Sequence, residues 1–282
     1  MSTMLSFQNQ NLGTFMSNEE VFAKCPYAKL TTPSNPAVST RYVQANTQTI
    51  VEDLGKLNWF PVEAKQCRQK ANSKGIRSFH MIAFQNPNVT IMDKGEVECY
   101  PRIILTNSHD GFNSFKFMVG LFRLVCSNGL ILATNKMVEL SIRHMNYDFE
   151  ELRKIVAESI TQIGEQTQII QGMKEVEVNK SQMRELAIKA IKLRAITDIK
   201  PEDIEEESIN QVLCPKRVED EGNSLWNVYN RIQENITNGD YMMTNQLTKK
   251  TRKVRPIKSV VKDLSFNKGL FNAAYGYMPI AA

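Results

Sequence analysis

From Asp148 onward the apolar positions of this chain recur at helical spacing. Leu152, Ile155, Val156, Ser159, Ile163, Gln166 and Ile170 make one stripe, and Met183, Leu186, Ala187, Ala190 and Leu193 make a second. Leu225, Val228, Tyr229, Ile232 and Ile236 make a third. Before Asp148 the pattern is one of short apolar or alternating runs bounded by turn residues. Residues 39–45, 59–64, 79–84, 97–106, 114–119 and 137–142 read as strands, and Pro61 confines the second of them to a sheet edge. Thr49-x-x-Glu52 has the form of a capping box and opens a short helix with Ile50, Val51, Leu54 and Leu57 on one side. Residues 121–132 are expected to form another short helix, because Leu121, Leu124, Val125, Asn128 and Leu132 fall at helical spacing. Pro201 suits the first turn of a short acidic helix that Cys214-Pro215 ends.

These elements predict an α+β protein, with an N-terminal mixed or antiparallel sheet and short helices followed by a helical C-terminal region. Residues 1–37 form an irregular segment without sustained periodicity, expected to wrap the surface or stay partly loose. Residues 38–146 form the α+β core, 147–248 the helical region, and 249–282 a basic C-terminal arm and terminal segment.

Composition narrows the class. The 282 residues are 42% hydrophobic and 23% charged, which is the balance of an ordinary globular protein. Cys25, Cys67, Cys99, Cys126 and Cys214 are odd in number and form no Cys-x-x-Cys pair, so they read as reduced thiols of a cytoplasm. No N-terminal basic-then-apolar leader and no apolar run of about 20 residues argues for secretion or a membrane span. The net charge of +5 matters less than its distribution. Glu202, Asp203, Glu205, Glu206, Glu207, Glu219, Asp220 and Glu221 form an acidic connector, and Lys249, Lys250, Arg252, Lys253, Arg255, Lys258 and Lys262 form a basic arm.

Polar chemistry is densest between Thr106 and Leu130. Asn107, Ser108, His109 and Asp110 form one cluster and Cys126, Ser127 and Asn128 a second; together they are a candidate polar pocket, expected at one end of the sheet. Taken singly, each cluster also reads as an ordinary turn. The chain contains no phosphate-binding Gly-x-x-x-x-Gly-Lys-Ser/Thr loop, dinucleotide Gly-x-Gly-x-x-Gly, Gly-x-Ser-x-Gly elbow or His-Glu-x-x-His helix. Consecutive Ser108, His109 and Asp110 cannot supply a nucleophilic triad from extended chain, because neighbouring side chains point to opposite faces. His80, His109, Asp110 and His144 are expected to approach one another and are the candidate ligands of a divalent metal that would activate water for phosphodiester hydrolysis. No other cofactor is expected. Cys126, one helical turn from Arg123, is weighed as a nucleophile and read as an inert thiol among Leu124 and Val125.

Arg41, Arg77, Arg102, Arg123 and Arg143 recur on or beside the expected strands, interleaved with Tyr42, Phe79, Tyr100 and Phe122. Guanidinium groups beside aromatic rings pair phosphates and stack bases, as a single-strand-binding groove does. The residues assigned to nucleic acid are Arg41, Tyr42, Arg123, Asn128, Arg143, Lys249, Lys250, Arg252, Lys253 and Arg255.

Seven ordered strings add a family likeness: STRYV (39–43), NWFPV (58–62), FHMI (79–82), NSHDG (107–111), LFRLVCSNGL (121–130), IRH (142–144) and LWNVYN (225–230). Together they resemble the phage/plasmid-like proteins of a large domain-of-unknown-function family, over a stretch from about residue 38 to near the C-terminus. The resemblance implies a mobile-element setting and supplies no reaction. The expected function is therefore binding of nucleic acid, single-stranded DNA above all, in replication, recombination or repair of phage or plasmid DNA, with homo-oligomerisation left open. A metal-dependent nuclease or phosphohydrolase is the enzyme alternative. An anti-defence interaction protein, using the acidic connector as a DNA mimic, is the third.

Overall fold

Ser17 and Glu20 each accept from the other's backbone N–H, and this capping box starts α1 (Asn18–Lys24) in a segment where no periodicity announces a helix. Val21 and Phe22 are its buried residues. In this computed structural model the described residues are 14–35, 45–67, 78–93, 96–111, 115–123, 129–130, 148–195, 200–244 and 249–279. The chain divides into two units, Met1–Lys116 with Ser141–Phe149 and Phe117–Leu140 with Glu150–Ala282. The expected strand at 137–142, and that at 39–45 except for Ala45, lie outside the described residues.

In the first unit α2 (Thr47–Lys56) buries Ile50, Val51 and Leu54, the face its apolar spacing predicts. Its cap differs from the expected one: Asn46, not Thr49, accepts from the backbone N–H groups of Gln48 and Thr49. Asn46→Ala should therefore cost about 1 kcal/mol of stability, and Thr49→Ala much less, as read from urea midpoints. Three antiparallel strands follow, β1 (Phe60–Gln66), β2 (His80–Gln85) and β4 (Glu96–Asn107), with β2 paired to both others. The short β3 (Ile91–Asp93) pairs with β4. Pro61 lies in β1, whose described pairing is to β2 alone, as a residue without an N–H requires. Trp59, Ile50, Leu54, Ile82, Phe84, Ile103, Leu105 and Phe115 make the core of this unit.

In the second unit β5 (Lys116–Arg123) pairs with β6 (Gly129–Leu130) through Leu121↔Leu130 and Phe122↔Gly129. This corrects the helix expected over 121–132. The aromatic and β-branched run KFMVGLFR is strand-forming, and its helical spacing of leucines is the ambiguity that short apolar runs carry. Helix α3 (Phe149–Glu175) buries Leu152, Ile155, Val156, Ser159, Ile163 and Ile170, and α4 (Lys180–Arg194) buries Leu186, Ala187 and Ala190. The acidic connector folds into a 3₁₀ turn (Pro201–Asp203), α5 (Glu206–Leu213) and a second 3₁₀ turn (Val218–Asp220). Glu206 and Glu207 occupy the first turn of α5, where the helix dipole favours them, and Asp220 is buried.

Helix α6 (Leu225–Asn238) packs against α4, α5 and α7 (Val260–Tyr275), and every residue from Leu225 to Ile236 except Asn227 is buried. Trp226 stacks on Tyr229 at 6.0 Å, and Tyr229 meets the edge of Phe271 at 6.3 Å. Glu234, buried in this helix, is matched by Arg217 through two bonds of 2.8 and 2.9 Å. Between α6 and α7 lies a two-stranded ribbon, β7 (Met242–Thr244) and β8 (Thr251–Lys253). The terminal segment thus contains a packed helix, with Phe266, Leu270, Phe271 and Ala274 buried. Among the described residues no helix is long and apolar enough to cross a membrane.

Candidate functional site

Two features concentrate polar chemistry, one in each unit. The first is a buried cluster that ties the end of β4 to the start of β2 and of α2. His80 and Asn107 are register partners on β2 and β4, so their side chains share a face of the sheet. His80 Nδ1 lies 2.7 Å from the Ser78 carbonyl oxygen, which can only accept, so Nδ1 carries the proton. His80 Nε2 is then an acceptor, and the Thr47 hydroxyl donates to it at 2.9 Å. Asn107 Nδ2 donates to Thr47 Oγ1 at 3.0 Å and to the Ala45 carbonyl at 3.2 Å, and Asn107 Oδ1 accepts from the Ser108 N–H at 2.8 Å. Donors and acceptors therefore run in one direction, from Asn107 through Thr47 to His80 and Ser78.

A second set of bonds closes the turn after β4. Asp110 accepts from Ser108 Oγ at 2.7 Å and from the Ser78 N–H at 3.1 Å. Ser78 Oγ accepts from the His109 N–H at 2.6 Å and from Ser34 Oγ at 3.0 Å. The Ser34 N–H donates to the His109 carbonyl, and Asn35 Nδ2 to that of Asp110. Gly111 follows with φ of 77°, the left-handed geometry that ends the turn without a Cβ penalty. Thr47, Ser78, His80, Asn107, Ser108, His109 and Asp110 are all buried. Burial pushes the His80 imidazole down to about 4, against the weaker opposing pulls of the Ser78 carbonyl and the Asp110 charge.

The structure brings together four of the seven expected pocket residues, Asn107, Ser108, His109 and Asp110; Cys126, Ser127 and Asn128 lie outside the described residues. The His80 and His109 rings do approach, with centroids 5.2 Å apart, and His144 lies outside the described residues. Both ring nitrogens of His80 are hydrogen-bonded to protein groups, Nδ1 to Ser78 and Nε2 to Thr47. Among the described residues no group of three or more His, Cys, Asp or Glu has the placement of a metal site. Ser34, Thr47 and Ser78 belong to the cluster and were not expected. Thr47 sits one place after a cap residue, and Ser78 just before a strand, so local sequence offered no mark of their pairing.

Of the arginine and aromatic series, Arg102 and Tyr100 are buried at 7% and 4% exposure. Arg102 lies 3.5 Å from Glu63, and burial lowers its guanidinium to about 10 in spite of that carboxylate. Arg41, Tyr42, Arg77 and Arg143 are outside the described residues, and of Arg123 the backbone alone is described.

The second feature is the basic arm. Lys249, Lys250, Arg252, Lys253, Arg255, Lys258 and Lys262 are all exposed, and the sequence from Tyr241 to Lys262 contains no Asp or Glu. The backbone is held from Thr251 to Ile257. The Val254 N–H donates to the Tyr241 carbonyl at 3.0 Å, the Ile257 N–H to that of Thr237 at 2.8 Å, and Arg194 to that of Arg255 at 2.9 Å. Gly239, at φ of 68°, ends α6 in the left-handed region and lets the Val254–Arg255 backbone pass close by; a β-carbon there would come within 2.7 Å of Arg255 C. Asp240 bridges Lys216 and Lys253, and the first of these lysines holds its carboxyl below the usual range.

The family described as domain of unknown function DUF932 matches residues 36–261. UPF0380 protein YfjQ of Escherichia coli strain K12 is 27% identical over 264 residues, covering 91% of this chain and 89% of the relative. UPF0380 protein YafZ of the same strain is 26% identical over the same shares. No solved structure matches the chain.

Proposed function

For a chain that belongs to the DUF932 family of domains of unknown function, we propose nucleic-acid binding through the basic arm, in replication, recombination or repair of mobile-element DNA. One observation carries this reading: exposed cations stand on or beside a backbone that is fixed from Thr251 to Ile257, in a stretch without carboxylates. A loose basic tail must be ordered when it binds, and that ordering opposes affinity. Here β7 holds the main chain of Thr251–Lys253 and Tyr241, Thr237 and Arg194 hold that of Val254 to Ile257 beforehand, so contact with phosphates there orders side chains alone. The mobile-element setting rests on the resemblance carried by strings such as NSHDG and LFRLVCSNGL.

Such contacts act through counterion release, and they are additive and indifferent to sequence. The test compares wild type with a variant in which Lys249, Lys250, Arg252, Lys253, Arg255 and Lys258 are all Gln. Because these side chains are exposed, the variant should melt close to wild type. Binding to 30-mer oligonucleotides is followed by fluorescence anisotropy from about 50 to about 200 mM salt. The variant should lose about a hundredfold in affinity at the lowest salt, and its salt slope should fall toward zero. Absence of wild-type binding even at about 50 mM salt would end the reading, and an unchanged slope in the variant would move the site off the arm.

A further inference from the structure

Resting on the reading that the arm binds nucleic acid, we infer that its ligand is duplex rather than single-stranded. Single strands are held by a combination of phosphate pairing and base stacking on aromatic rings. The arm supplies the first and lacks the second. Residues 242–262 contain no Phe, Trp or Tyr. Tyr241, at the base of the ribbon, is 3% exposed, and Phe266 and Phe271 on α7 are turned into the core at 3% and 1%. Tyr275 is exposed, but it ends a helix whose 16 residues set it roughly 22 Å along the axis from the arm. Of the arginine and aromatic side chains read as a stacking groove on the sheet, Arg102 and Tyr100 are buried and Phe79 is half-buried.

The ribbon's shape points the same way. The β7 side is occupied by α5, since the Met242 N–H donates to Gln211 Oε1 at 2.7 Å and the Met242 carbonyl accepts from Ser208 Oγ at 2.6 Å. Thr251, Arg252 and Lys253 of β8 are exposed. The result is a row, along the sequence, of exposed cations, with Arg252 and Lys253 on the paired strand and Lys249, Lys250, Arg255 and Lys258 flanking it. From Lys249 to Lys258 that row extends at most roughly 30 Å. Over such a length a duplex presents a phosphate about every 1.7 Å of axis, twice the density of either strand alone, and it releases more counterions per contact.

The experiment uses the full chain and one mixed sequence of 30 nucleotides, as a single strand and annealed to its complement, with wild type and the six-Gln variant. The duplex should bind about tenfold more tightly near 100 mM salt, with a slope of about 5 against about 4 for the single strand if all six cations make contact. The six-Gln variant should erase the preference. Equal or tighter binding of the single strand would overturn the inference and leave the nucleic-acid reading standing; binding of neither would remove both. A duplex preference that survives in the variant would also overturn it, because the preference would then arise elsewhere.

Discussion

Between pH 6.5 and pH 4 the first unit should lose about 3 kcal/mol of stability through one residue, His80. In the folded chain this imidazole is neutral and fully enclosed, and burial holds it down at about 4. In the unfolded chain it titrates near its ordinary value of about 6.5. The unfolded state therefore binds the extra proton through this window, and stability rises with pH across it. The contribution is complete above about 6.5, is lost progressively on acidification, and changes no further below about 4; the 2.5-unit gap corresponds to about 3 kcal/mol. The hydrogen-bond direction explains why the protonated form fits badly. A proton on Nε2 would face Thr47 Oγ1, whose own hydrogen is aimed at that nitrogen and which already accepts from Asn107. The chain has two tryptophans, Trp59 in the first unit and Trp226 in the second. In a Trp226→Phe background, urea unfolding followed by Trp59 fluorescence from pH 7.5 to pH 4 reads the first unit. His80→Gln in that background should be less stable at pH 7.5 and should show a flatter profile. Parallel pH profiles for the two proteins would show that the acid sensitivity does not belong to His80.

The elements with a long period were legible in the sequence. The stripes of α3 and α6 are buried residue for residue where described, because an amphipathic helix of several turns repeats its signal enough times to exclude a strand. The strand at 121–123 was not, since a few apolar residues satisfy both periods and the pairing with Gly129 and Leu130 that decides between them is non-local. The cap of α2 was misplaced for a related reason. Thr49-x-x-Glu52 is the better local pattern, yet the helix is capped three residues earlier, at Asn46, where Thr47 is fixed by His80 and Asn107 and the Ala45 carbonyl by Asn107. The same holds for the polar cluster. Four of its members lie together as NSHDG and stood out, whereas Ser78 and Thr47 stand 31 and 60 residues from the partners they bond in it and Ser34 farther still, and the fold alone gathers them. In the arm the cations were plain from charge counting. Their fixed backbone was not, because main-chain bonds to Tyr241 and Thr237 leave no mark in side-chain composition.

That fixed backbone gives the other large effect, centred on Gly239. A Gly239→Val substitution removes no charge and lies outside the cationic row, yet it should cost about 3 kcal/mol and weaken nucleic-acid binding as well. Part of the cost is conformational: φ of 68° is open to glycine, and a β-branched residue there loses about 1 to 2 kcal/mol. The rest is overlap, since a β-carbon would press on Val254 O and on the carbonyl group of Arg255, all backbone atoms that cannot rotate away. The chain can relieve that overlap by moving the 254–258 segment off the C-terminal end of α6, which would break the bond from the Ile257 N–H to the Thr237 carbonyl and that from Arg194 to the Arg255 carbonyl. The arm would then carry all its cations on a loosened backbone. Its salt slope should stay near the wild-type value, because the number of phosphate contacts is unchanged, while affinity at every salt concentration falls about tenfold from the added ordering. Gly239→Ala should show the same pattern at smaller amplitude. Thermal melts, amide exchange at Ile257 and anisotropy titrations at several salt concentrations measure the three consequences separately. If Gly239→Val exposes the Ile257 amide yet binds as wild type does, a preset arm contributes nothing to affinity, and the cations act simply as a local concentration of charge.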